Sequence, residues 1–122
     1  MKKALGAAVA AVAAGVGLFQ AAMPAARAGV SGGALCFDHY VAANDTRVYR
    51  HTFRGGEWAT VEATGDGDID IYVRDARGRL VDFDDLSDEE PAASWVPPST
   101  QTYTITIVNC EDYRVDYHYD TN

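Results

Sequence analysis

Lysine is missing from almost the whole chain: of 122 residues, only Lys2 and Lys3 are lysines, so every later segment draws its positive charge from arginine. Cysteine is nearly as scarce, with Cys36 and Cys110 alone and no C-x-x-C pair to suggest a redox dithiol. The three histidines, His39, His51 and His118, show no H-x-H or H-x-x-x-H spacing, which argues against a zinc site. His118 alternates with Arg114 and Asp116 and reads as exposed. None of Ser31, Ser87, Ser94 and Ser99 stands in the G-x-S-x-G elbow of a serine hydrolase. Past residue 28 there is no long apolar run and no window with a helical period.

The one long apolar run is Ala4 to Phe19, 16 uncharged residues. That is short of the roughly 20 a membrane-spanning helix needs. Lys2 and Lys3 precede it and Ala26-Arg27-Ala28 follows, so residues 1–28 read as a secretory signal peptide cleaved after Ala28. No twin-arginine pair is present, and Gly33-Ala34-Leu35 before Cys36 does not fit a lipoprotein site. Cleavage leaves 94 residues with seven arginines against 18 acidic residues, a net charge of −11. Such a surface disfavours nucleic acid and, after cleavage, an anionic membrane, because both need a basic footprint. A cation is its natural partner, and the expected location is secreted or periplasmic. In an exported chain Cys36 and Cys110 are expected to pair as a disulfide. Closing so long a loop is worth about 4 kcal/mol in the chain-entropy picture.

Beyond the signal peptide, period-two alternation recurs between turn signals. Residues 29–45 read as a linker and lead-in, and residues 46–122 as a β-sandwich of jelly-roll type with about seven to eight strands. Thr102 to Asn109 is β-branched on both faces and reads as a central strand buried on both sides. One hairpin register follows from shared faces: Ile71 opposite Phe83 and Val73 opposite Val81. That makes Asp75 and Arg79 the closing pair around Ala76-Arg77-Gly78, with Gly78 at the left-handed position of a three-residue loop.

The same register sets Asp70 opposite Asp84, with Asp68 and Asp82 diagonal to them. Asp66 and Asp85 flank the hairpin, so six carboxylates are expected to gather there. Hard oxygen donors at a strand end suit Ca²⁺. The competing reading is a solvated acidic face screened by salt. An EF-hand is excluded, because counting from Asp66 the sixth position is Ile71 and the twelfth is Arg77.

Val48-Tyr49 to Phe53, Gly55-Gly56, GDGDIDIYVRDARGRLV (65–81) and SWVPPSTQTYTITIVN (94–109) together resemble the bacterial pre-peptidase C-terminal domain. That family typically reads gD-x-D-L-Y-v-x-d-x-x-G followed by w-x-P-x-x-x-x-Y-x-i-x-v-x-N. The resemblance covers about residues 46–119, with Asp68-Ile69-Asp70-Ile71-Tyr72 its most specific part. It implies a jelly-roll sandwich that accompanies exported enzymes in secretion or substrate attachment. Related collagen-binding domains bind calcium. The family's acidic motif maps onto Asp66, Asp68 and Asp70, and it supplies no catalytic residues.

The function expected is that of an exported non-catalytic module binding an unidentified protein or polysaccharide, with Ca²⁺ as its cation. One alternative is a small carbohydrate- or peptide-active enzyme using paired carboxylates, which needs a cleft and one carboxyl of raised proton affinity. The other is an inhibitor or adaptor of a separately encoded exported hydrolase, which needs an exposed apolar or aromatic patch.

Overall fold

The computed structural model describes residues 29–122, and the signal-peptide reading of residues 1–28 lies outside them. Eight strands form: β1 (Cys36–Val41), β2 (Thr46–Phe53), β3 (Ala59–Gly65), β4 (Ile69–Arg74), β5 (Leu80–Asp84), β6 (Ala92–Trp95), β7 (Gln101–Asn109) and β8 (Val115–Thr121). They make two four-stranded antiparallel sheets, β1-β8-β3-β6 and β2-β7-β4-β5. β1 pairs with β8, β2 with β7, β3 with β6 and β4 with β5, as if one long hairpin had been wound into a roll. That is the jelly roll expected from the strand spacing.

Alternation explains the core. Ile69, Ile71 and Val73 of β4 and Ile105 and Ile107 of β7 meet Val61 of β3 and Val115 of β8, all fully buried. Phe53, Trp95 and Tyr103 extend the packing toward one end, with Phe53 and Trp95 edge to face at 4.9 Å. Their burial is the dominant stabilising term for a domain of this size.

Three expectations need correction. Residues 29–45 are part of the sandwich. Val30 is buried and bridges to Phe53, and Cys36–Val41 forms the edge strand β1 along β8. β7 is central in its sheet but buried on one face only, since Thr104 and Thr106 are partly exposed on the other. The third concerns the β4–β5 hairpin. Its turn is as expected: the Asp75 amide donates to the Arg79 carbonyl at 2.9 Å, and Gly78 has φ 83°. Between Val73 and Arg74, however, the register shifts. Arg74 pairs with Leu80 but Val73 with Asp82, which leaves Val81 as the extra residue of a β-bulge. One extra residue sends every later side chain to the opposite face. Phe83 therefore pairs with Tyr72 on the outside and is 48% exposed, while Asp82 and Asp84 turn toward the other sheet.

Candidate functional site

The bulge breaks up the expected six-carboxylate cluster. Asp84 lies opposite Ile71, not Asp70. Asp82 accepts from the Ser94 amide at 2.8 Å and Asp84 from the Ala92 amide at 3.1 Å, so both carboxylates tie the edge of β6 to β5. Inward charge on an edge strand also blocks pairing with another chain. Asp66 accepts from the Asp116 amide at 3.0 Å and prolongs the β3–β8 ladder. Asp85 is exposed. Only Asp68 and Asp70 converge, joined by Cys110, with donor atoms of all three within 4.8 Å. There the Cys110 thiol donates to Asp70 Oδ2 at 3.3 Å, and Asp68 Oδ1 is buried without a hydrogen-bond partner. Burial raises the proton affinity of Asp70, the Cys110 hydrogen bond opposes that, and the charges of Asp68, Asp85 and Asp84 add to it. Burial together with Asp70 pushes the Cys110 thiol up to about 12.

The expected disulfide is absent, and both cysteines are free thiols. Cys36 opens β1, opposite Asp120, whereas Cys110 follows β7 beside the far end of β1, where Asn109 Nδ2 donates to the carbonyl of Val41. Five strand residues, about 16 Å, separate the two ends of β1. A disulfide requires Cα atoms within about 7 Å.

Cys36 belongs to a different group, on the outer face of the β1-β8-β3-β6 sheet. Asp38 lies opposite His118, and Cys36 opposite Asp120. His118 Nδ1 is 2.7 Å from Asp38 Oδ1, and its Nε2 is 3.3 Å from Cys36 Sγ and 3.4 Å from Asp120 Oδ2. Asp38 and Asp120 raise the proton affinity of the imidazole against a smaller opposing effect of burial, with the Asp38 hydrogen bond leading. This group escapes a search for histidine pairs. Its signal is C-x-D at Cys36-Phe37-Asp38 and H-x-D at His118-Tyr119-Asp120, each with two-residue strand spacing. A shallow depression adjoins it, lined among others by Tyr40, Thr64, Asp66 and Arg114.

The outer face of the other sheet has a different character. The pairings carry a row across all four strands: Val48 opposite Thr106, Thr106 opposite Tyr72, Tyr72 opposite Phe83. Tyr72 and Phe83 stack at 6.1 Å between ring centres. A second row runs Arg50, Thr104, Arg74, Leu80. Val48, Leu80 and Phe83 are among the exposed large apolar side chains. Asp38, Asp116, Asp120 and Glu62 lie on the opposite outer face, so the sandwich presents one acidic face and one face of arginine, threonine and aromatic rings.

No protein-family model and no curated protein matches the chain. Among solved structures it is similar to Aeromonas hydrophila PliG, a periplasmic lysozyme inhibitor of g-type lysozyme. That likeness has a TM-score of 0.53 at 12% identity, over 73% of this chain and 84% of the inhibitor. It is also similar to a de novo designed double-stranded β-helix, with a TM-score of 0.48 at 14% identity, over 72% of this chain and 99% of that one. Among the described residues no helix is long and apolar enough to cross a membrane.

Proposed function

We infer that the chain is an exported, non-catalytic jelly-roll module that binds a protein, as an inhibitor or adaptor of a separately encoded exported hydrolase. The observation that carries this reading is the row Val48, Thr106, Tyr72 and Phe83 beside Arg50 and Arg74. Tyrosine, phenylalanine and arginine are the side chains enriched where proteins meet, and an exposed apolar row marks such a surface. The likeness in fold to a protein described as a periplasmic lysozyme inhibitor supports the same class of partner, and so does the motif resemblance to an accessory domain of exported enzymes. A g-type lysozyme is therefore the first partner to test. The chain should bind it and slow its lysis of peptidoglycan. Phe83→Asp and Arg74→Glu, both at exposed sites, should each weaken binding about tenfold or more in protein that remains folded at the assay temperature. Binding that both variants leave intact would place the interface elsewhere, and no binding to lysozyme would remove that enzyme as the partner.

Calcium enters this reading in reduced form, through Asp68, Asp70 and the unpartnered Asp68 Oδ1. Without a cation, ionised Asp70 weighs against the fold. Its proton affinity is raised in the folded state. The stability it contributes is therefore complete below the unfolded carboxyl value of about 3.9 and is lost as pH rises through the folded-state value. At neutral pH Asp70→Asn should raise the melting temperature by a few degrees, and the gain should vanish in acid. With Ca²⁺ at the site the sign reverses: millimolar CaCl₂ should stabilise the parent beyond NaCl of equal ionic strength, and Asp70→Asn should abolish that increment. A thermal melt series in the two salts decides between them.

A further inference from the structure

We propose that Cys36, His118 and Asp120 form a binding site for a borderline divalent transition metal of the zinc class, with Asp38 as the carboxylate that orients the imidazole. The site is distinct from the protein-binding face and does not depend on it.

Strand geometry assembles the group. Residues two apart on a strand share a face, so Cys36 and Asp38 of β1 point outward together, as do His118 and Asp120 of β8. The antiparallel pairing then sets Cys36 opposite Asp120 and Asp38 opposite His118, a two-by-two block of side chains. Within it Asp38 accepts a hydrogen bond from His118 Nδ1, which leaves the Nε2 lone pair facing Cys36 and Asp120. A carboxylate on the second ring nitrogen is the usual partner of a metal-bound histidine, and it fixes both tautomer and ring orientation.

The spacing fits as well. Zinc bonds to sulfur, nitrogen and oxygen are about 2.0–2.3 Å, so tetrahedral neighbours lie about 3.3–3.7 Å apart. The imidazole nitrogen is 3.3 Å from the thiol and 3.4 Å from the carboxylate, and all three donor atoms lie within 4.8 Å of one another. One sulfur, one nitrogen and one oxygen suit zinc or its cobalt and nickel substitutes and do not suit calcium, which takes oxygen donors only. Three protein ligands leave a fourth position open to solvent on this exposed face.

Thiol, imidazole and carboxylate also occur together in cysteine hydrolases, but there the thiolate sits in electropositive surroundings. Cys36 stands beside Asp120 and Asp38, and both act to keep its proton on. A dication supplies the positive charge that a thiolate needs in this place, and the thiol proton leaves to solvent as the metal binds.

The test is a Co²⁺ titration of the chelator-stripped, reduced protein. One equivalent should bind and produce thiolate-to-cobalt charge-transfer absorption together with the intense visible bands of a tetrahedral ion, and Zn²⁺ should bleach both. Cys36→Ser should remove the charge-transfer band. Asp38→Asn should keep the stoichiometry but weaken Zn²⁺ about 10–100-fold. Cys110→Ser should change neither. All these side chains are partly or fully exposed, so each variant should melt in EDTA as the parent does, which separates loss of the site from loss of the fold. Cobalt bound without a thiolate band, or bound equally well by Cys36→Ser, would overturn the proposal.

Discussion

Asn109→Ala should cost the domain about 2–4 kcal/mol, a large share of the 5–15 kcal/mol typical of a small fold. Asn109 closes β7 and is 3% exposed. Its Nδ2 group is shared among the carbonyls of Val41 at 3.2 Å, Ala42 at 3.0 Å and Tyr113 at 2.8 Å, while Oδ1 accepts from the Glu111 amide at 2.8 Å. One side chain thus ties the end of β1 and the β1–β2 turn to the β7–β8 loop. Alanine leaves the Tyr113 carbonyl and the Glu111 amide without this partner, while the Ala42 carbonyl keeps the Asp45 amide at 3.1 Å. A buried polar group without a partner costs about 1–3 kcal/mol. Water reaching the vacated space would recover part of the sum, which holds the total below simple addition. Each kcal/mol lowers the melting temperature of a domain this size by about 4–8 °C, so the variant should melt at least about 10 °C below the parent. Asn109→Asp should be worse at neutral pH, where a carboxylate would face three carbonyls. It should recover partly in acid, where the protonated group again donates. A urea titration in which Asn109→Ala lies within 1 kcal/mol of the parent would mean that these carbonyls are hydrated in the folded state.

The fold was more legible in the sequence than the site was. Alternation and turn residues locate β4, β7 and the Asp75–Arg79 turn, because period-two burial and a left-handed glycine are local properties. β1 was hidden because His39 occupies an inward position in Cys36–Val41, so the apolar alternation of Phe37 and Val41 is interrupted by a polar ring. That ring finds its place beside Tyr117, 6.4 Å away between centres, which the local pattern does not encode. The candidate sites failed for a different reason. Which acids meet depends on register, and a bulge at Val81 with no glycine to announce it moves Asp82, Phe83 and Asp84 to the opposite faces of the sheet. The disulfide expectation failed on distance: parity of cysteines says that two thiols exist and nothing of the length of strand between them. Cys36, Asp38, His118 and Asp120 come together only through the β1–β8 pairing, across 80 residues of sequence between Asp38 and His118.

The bulge can be tested by two substitutions that an unbroken register would make equivalent. Ile71→Ala should destabilise the domain by about 2–5 kcal/mol, because Ile71 is fully buried between the sheets and its loss leaves a cavity in a close-packed interior. Phe83→Ala should cost no more than about 1.5 kcal/mol, the value of its stacking on Tyr72, since nearly half of the residue is already in water. Were Phe83 opposite Ile71, it would fill the core, and its loss would cost about 3–5 kcal/mol. Chemical denaturation of the two variants separates these outcomes, and the shared slope of the unfolding curves checks that neither variant changes the denatured state. Asp82 and Asp84 give the same contrast from the other side. In the bulged register they accept from Ser94 and Ala92, so Asp82→Ala leaves an edge amide of β6 without its partner and should destabilise. In the unbroken register they would stand in solvent, and the same change would be silent. Equal losses from Ile71→Ala and Phe83→Ala, with a silent Asp82→Ala, would return Phe83 to the core, remove the aromatic row from the outer face and take the proposed protein-binding surface with it.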